Sequence, residues 1–213
     1  MLKINVVAYD DRWPAQFEGI RQEVDHALSD FLHSDVYTIE HVGSTSVEGL
    51  AAKPIIDIDI VVPAHYIMEA TQALTSHGYT YAYEPTGIDR MVFRYDKHKL
   101  DSGGSRETED GTPRRAVYLN KTDGAALANH LAMRKVLRED LALRTEYGML
   151  KMTLAKKDHT DIGAYGAKKH AMIQRILTQS DLSEEILRRI NNKPQRRVDR
   201  EIQQARLVSS AGR

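Results

Sequence analysis

Residues 39–62 read IEHVGSTSVEGLAAKPIIDIDIVV, and this stretch decides the fold. Val36–Val42 (VYTIEHV) alternates and predicts a strand, which Gly43-Ser44-Thr45-Ser46 ends. A second strand is predicted over Pro54–Val62, where Ile55, Ile56, Ile58, Ile60, Val61 and Val62 are the β-branched residues that strands favour. Side chains alternate across a strand, so Asp57 and Asp59 share one face. Carboxylates are rare in so apolar a segment unless they are paired or bind metal. An edge strand with both acids in water would show the same alternation. The apolar residues at both ends favour an internal strand instead. Two carboxylates on one face suit a hard divalent cation, Mg²⁺ or Mn²⁺. Such an ion neutralises a triphosphate and aligns an in-line displacement.

The turn before this strand adds a second element. Gly43 lets the backbone approach a ligand, and Ser44, Thr45 and Ser46 offer hydroxyls and N–H groups to a phosphate. The same residues also make ordinary loops and helix caps. The Asp-x-Asp strand follows about 13 residues later, so a phosphate binder and a metal site fall on neighbouring strands.

Outward from this block, Trp13, Phe17, Ile20, Val24 and Leu28 predict a helix to about Leu32, with Asp10-Asp11 at its start and Pro14 in its first turn. A helix over 64–76 and short strands over 80–83, 91–95 and 115–120 follow. Residues 96–114 read as a long polar loop. From Asp123 the period becomes helical, over Leu127–Arg138, Leu143–Lys157, Gly163–Leu177 and Ser183–Ile190, with a last charged helix around Val198–Ala205. Strands first and helices after suit an α+β or α/β domain carrying a C-terminal helical subdomain.

The 213 residues carry 30 Lys+Arg against 30 Asp+Glu and are 41% hydrophobic. Wholesale disorder is excluded, and zero net charge argues against a protein that coats nucleic acid or an anionic membrane. The charge is divided: residues 1–150 are net −7 and residues 151–213 net +7. With no cysteine, disulfides, a thiolate nucleophile and Cys-ligated zinc are excluded. No signal peptide or membrane span is legible, so a cytoplasmic protein is expected.

The block Ile39–Val62 strongly resembles the signature of the GrpB family of the nucleotidyltransferase superfamily, whose fold is that of DNA polymerase β. Tyr9, Trp13-Pro14 and Phe17 look like that family's N-terminal segment, and Gly78-Tyr79 its helix-to-strand turn. His130-Leu131 with Arg134 and Leu137-Arg138 resembles its HLxxRxxLR helix, and Tyr147, Lys151, Tyr165 and Lys168 its later helices. The resemblance covers about residues 3–178. It implies an α+β fold, a small mixed sheet flanked by helices, in a domain over 1–178 that is strand-rich to about residue 122; the basic helical extension over 179–213 lies beyond the resemblance. The resemblance also implies metal-dependent transfer of an NMP from an NTP to a small-molecule or protein acceptor. Asp57 and Asp59 would be catalytic and hold Mg²⁺ or Mn²⁺. Gly43 and Ser44 match the family's glycine-serine motif, and with Thr45, Ser46, Lys53, Arg134 and Arg138 they are the residues expected to hold the nucleotide's phosphates. His41, Arg94, Lys151 and Lys168 are further candidate phosphate contacts. Similar domains occur fused to dephospho-CoA kinase, but no GxxxxGK[ST] loop is present.

One departure matters. Active nucleotidyltransferases usually carry a third carboxylate on a later strand, and Arg115-Ala116-Val117-Tyr118-Leu119 has none. Glu40 or an acid of the polar loop could substitute. Otherwise the chain would be a nucleotide-binding or adaptor module without efficient transfer. A third reading makes the basic tail a nucleic-acid-binding element.

Overall fold

The elements run α1 (Trp13–Ser29), β1 (Thr38–Val42), β2 (Ile56–Val62), α2 (Ile67–Ser76), β3 (Tyr79–Ala82), β4 (Arg90–Tyr95), β5 (Arg115–Lys121), α3 (Ala125–Glu139), α4 (Leu141–Ala155), α5 (Ile162–Leu177) and α6 (Glu184–Asn191). The structure, a computed structural model, describes residues 3–82, 89–95, 113–160 and 162–191. The expected turn around 85–87, most of the polar loop and the last helix lie outside the described residues.

The strands form one sheet in the order β1-β2-β5-β4-β3. β1 is antiparallel to β2, β2 is parallel to β5, and β4 is antiparallel to both β5 and β3. The fold is therefore α+β with a small mixed sheet and flanking helices, as expected. β2 is internal, which disposes of the edge-strand reading.

Alternation along β2 sorts its residues between two environments. Ile56, Ile58, Ile60 and Val62 are at most 1% exposed and pack with Trp13, Ile20, Val24 and Leu28 of α1 and with Ala70, Ala73 and Leu74 of α2. Each such side chain contributes roughly 1.5–3 kcal/mol when fully buried. The other face carries Asp57, Asp59 and Val61. The register sets Glu40 opposite Asp59 on β1, and Ala116, Tyr118 and Asn120 beside Asp57, Asp59 and Val61 on β5. A second apolar cluster joins α3, α4 and α5 through Val136, Leu137, Leu143, Tyr147, Met172 and Ile176. It includes Val47 and Leu50, just after the Gly-Ser turn. The turn is thus held between two cores.

Local differences have local causes. The acids before α1 do not cap it: Arg12 is the N-cap residue and makes no side-chain cap bond. Asp10 instead accepts from the Arg12 N–H at 3.0 Å and binds its guanidinium at 2.8 Å. The helix closes at Ser29 rather than Leu32. Arg115, in the strand that lacks an acid, faces away from Asp57. Its buried guanidinium meets Glu23 of α1, donates to the Tyr79 hydroxyl at 3.1 Å, and lies 4.3 Å from the Tyr95 ring centre.

Candidate functional site

Asp59 is wholly buried. Its two oxygens lie 3.0 and 2.9 Å from Nδ1 of His130 on α3. Nε2 of the same ring is 3.2 Å from a guanidinium nitrogen of Arg90 on β4. A guanidinium can only donate, so Nε2 accepts, and the proton of the neutral ring sits on Nδ1, donated to Asp59. Arg90 also lies 4.3 Å over the ring of Tyr118, whose hydroxyl donates to Asp57 Oδ1 at 3.3 Å. One arginine therefore supports both acids, Asp59 through His130 and Asp57 through Tyr118.

Asp57 backs onto the Gly-Ser turn. Gly43 has φ +69° and ψ −169°, a region that glycine alone occupies readily. A Cβ built there would fall 2.8 Å from both Cβ and Cγ of Asp57. Asp57 is only partly exposed, and burial pushes its carboxyl above the ordinary value, with Asp59 adding to the effect. Lys53, His130 and the Tyr118 hydroxyl oppose it.

Three lysines from separate elements surround this acid electrostatically: Lys53 before β2, Lys151 on α4 and Lys169 on α5. Lys151 is 3% exposed, and its ammonium donates to Ser44 Oγ at 2.8 Å. Burial drives it well below the usual lysine range, Lys169 and Lys53 push it further, and Asp57 opposes. Burial, with Lys53 beside it and Asp57 opposing, lowers Lys169 to about 8. One buried acid, one partly exposed acid and three amines thus share one site, and the amines, Lys151 held on Ser44, offer N–H donors that suit a polyanion. A cleft of about 140 Å³ opens beside them, lined by Gly43, Ser44, His130 and Arg134 and walled by Leu137 and Tyr147.

Of the candidates named from the sequence, Asp57, Asp59, Gly43, Ser44, Lys53 and Lys151 come together. Arg134 lines the cleft but is engaged, donating to Glu40 at 2.9 Å and to the His41 carbonyl at 2.6 Å. Arg138 donates to the Ser46 carbonyl at 2.7 Å. Both arginines thus hold the β1–turn segment through protein groups. Thr45 and Ser46 turn inward: the Thr45 hydroxyl bonds the Ile55 carbonyl at 3.3 Å and the Ser46 hydroxyl the Gly43 carbonyl at 2.7 Å. His41 lies on the other face of the sheet, stacked on Phe17 at 4.6 Å. Its burial, with Arg138 and Arg134 nearby, lowers it to about 4. Arg94 is exposed on β4. Lys168 is exposed on α5 and lines an outer groove with Met149 and Arg175, whereas its neighbour Lys169 faces the site. Glu40 is on the acids' face but is taken up by Arg134. Among the described residues no three His, Cys, Asp or Glu side chains form a metal-binding group.

Sequence reasoning missed the roles of Tyr118, Arg90 and Lys169, and met His130 only as part of a motif. A signal existed for two of them. Ala116, Tyr118 and Asn120 share a strand face by period two, and His130 lies four residues before Arg134 on a helix face.

Mg²⁺ commonly takes one or two carboxylates and completes its shell with phosphate oxygens and water; the acids here that could hold such an ion are Asp57, partly exposed, and Asp59, whose two oxygens also face His130 Nδ1. Asp57 and Asp59 would hold it, and it would neutralise charge on a bound phosphate chain.

Comparison with known proteins bears on the family and the fold. The family described as "GrpB protein" matches residues 3–179. The UPF0157 protein YqkA of Bacillus subtilis (strain 168) is 27% identical over 164 residues, 76% of this chain; the match spans 43% of YqkA's own length. The crystal structure of conserved protein GrpB from Enterococcus faecalis is 31% identical, covers 82% of this chain and 96% of that one, and superposes with a TM-score of 0.63. The Cid1 poly(U) polymerase is 10% identical, with a TM-score of 0.38 over 71% of this chain and 44% of that one. No helix among the described residues is long and apolar enough to cross a membrane.

Proposed function

The chain belongs to the GrpB family, and from that premise and the site's geometry we propose that it is a metal-dependent nucleotidyltransferase. It would move an NMP from an NTP to a small-molecule or protein acceptor in the cytoplasm. The observation that carries this reading is the convergence of Asp57 and Asp59 with the lysine-lined Gly43-Ser44 turn. Ser44, Lys151, Lys169 and Lys53 would hold the β- and γ-phosphates, and the two acids would hold the cation at the α-phosphate. His130 and Tyr118 keep the carboxylates turned toward one another's face, while α3 and α4 wall the cleft from water. Among the described residues no side chain is assigned as general base for the acceptor.

Calorimetry with ATP and Mg²⁺, wild type against Asp57→Asn/Asp59→Asn, tests the reading. Binding by the wild type and its loss in the variant are expected, and equal affinities would sink the proposal. A pH series adds a signed expectation. Lys169 is charged below about 8 and neutral above it. Phosphate affinity should therefore fall as pH rises from 7 to 9, and the fall should be blunted in Lys169→Met. A flat wild-type profile would remove Lys169 from the phosphate site.

The second reading, nucleotide binding without efficient transfer, is favoured by one observation. On β5 the acids' face presents Ala116, Tyr118 and Asn120, and Glu40 is tied to Arg134. Incubation of lysate with labelled NTP separates the two: incorporation into small molecules or proteins supports transfer, and binding without incorporation supports the module.

A further inference from the structure

α6 lies beyond residue 179, outside the stretch matched by the family. It nevertheless reaches the support of the acid pair. Arg189 donates to Asp89 Oδ2 at 2.6 Å and to the Asp123 carbonyl at 3.3 Å. The same Asp89 accepts from the Ala125 and Ala126 N–H groups at 2.9 and 3.1 Å. Those first-turn donors of α3 have no partner within the helix, so Asp89 caps it. The helix N–H groups and Arg189 hold the Asp89 carboxyl below the usual range, against the opposing effect of its partial burial.

The next residue is Arg90, the arginine that donates to His130 and stacks on Tyr118. Arg189 therefore fastens the start of β4 and the first turn of α3 to each other. These are the two elements whose side chains meet at His130. α6 contributes no buried side chain. The Arg189–Asp89 pair is itself partly exposed, with side chains 41% and 30% accessible. Such pairs add little to global stability, so the consequence of this contact is orientation.

We propose that Arg189 is a positioning residue: through Asp89 it fixes Arg90, and through Arg90 the orientation of His130 and Tyr118 against Asp59 and Asp57. It rests on the functional reading only in taking the acid pair as the working part of the site. The extension beyond the family's matched region thereby completes the support of that pair.

The test uses the full chain as wild type, Arg189→Ala and Arg189→Lys. The first readout is the long-range ¹H–¹⁵N spectrum of the histidine rings, with the His130 signal identified by its disappearance in His130→Gln. It needs neither nucleotide nor metal. The wild type should show a single tautomer with the proton on Nδ1. Arg189→Ala should show a mixture, with its melting temperature within about 4 °C of the wild type, and Arg189→Lys should recover the wild-type signal. The second readout is the affinity for ATP with Mg²⁺, expected to be about two- to fivefold weaker in Arg189→Ala. A wild-type His130 signal in Arg189→Ala overturns the proposal. A changed signal with no nucleotide binding by any variant, wild type included, upholds the positioning role and overturns the functional reading instead.

Discussion

Asp59→Asn should abolish Mg²⁺-dependent nucleotide binding while leaving the protein folded. The substitution keeps the volume of a side chain that is wholly buried, and the Asn carbonyl can still accept the His130 Nδ1–H. What it removes is a full negative charge facing the proposed cation. Losing even an outer partner of a metal site costs roughly 10- to 100-fold in affinity, so loss of a ligand should exceed that lower bound and approach a hundredfold or more. The melting temperature should move by no more than about 4 °C, equivalent to roughly 1 kcal/mol for a chain of this size. Calorimetry and a thermal melt on the same preparation check both halves. Retained nucleotide affinity would remove Asp59 from the site, and unfolding of the variant would recast it as a structural acid.

Gly43→Ala should be the most destabilising single change in the turn. Two independent costs add there. A side chain at φ +69°, ψ −169° costs about 1–3 kcal/mol. The new Cβ would also fall 2.8 Å from Cβ and Cγ of Asp57, and such overpacking costs about 1–3 kcal/mol more. A loss of about 2–6 kcal/mol in urea unfolding is expected. Gly49 supplies the control. Its φ is +75°, but the nearest atom to its added Cβ is Arg144 Nε at 4.0 Å. Gly49→Ala should therefore cost only the backbone component, about 1–2 kcal/mol. Similar losses in the two variants would mean that the close approach to Asp57 contributes nothing.

Most of the framework was legible because it rests on period alone. The Ile-Asp-Ile-Asp-Ile alternation of β2 and the 3.6-residue repeats of α3, α4 and α5 survive tertiary packing, since each element buries one face. What could not be read is decided by rotation within that period and by long-range partners. Lys168 and Lys169 are adjacent in sequence, yet one helical step of about 100° sends the first to solvent and the second to the site. Thr45 and Ser46 carry hydroxyls expected to meet phosphate, but a tight 3₁₀ turn points both at backbone carbonyls and leaves Ser44 to face the cleft. Arg134 and Arg138 share a helix face as expected, and that face meets the β1–turn segment, whose carbonyls claim them. His130 and Arg90 are 40 residues apart and meet where Asp89, just before β4, accepts from the first turn of α3.

The division of β2 between two environments also bears on how this strand tolerates genetic change. Its even-numbered positions, Ile56 to Val62, answer to the apolar layer beneath α1 and α2, and Asp57 and Asp59 to charge and to α3. On the proposed reading, neighbouring codons would come under different kinds of selection: cellular abundance would filter one set and biochemical output the other. A saturation library scored separately for the two traits would resolve into two interleaved combs, out of phase by a single residue.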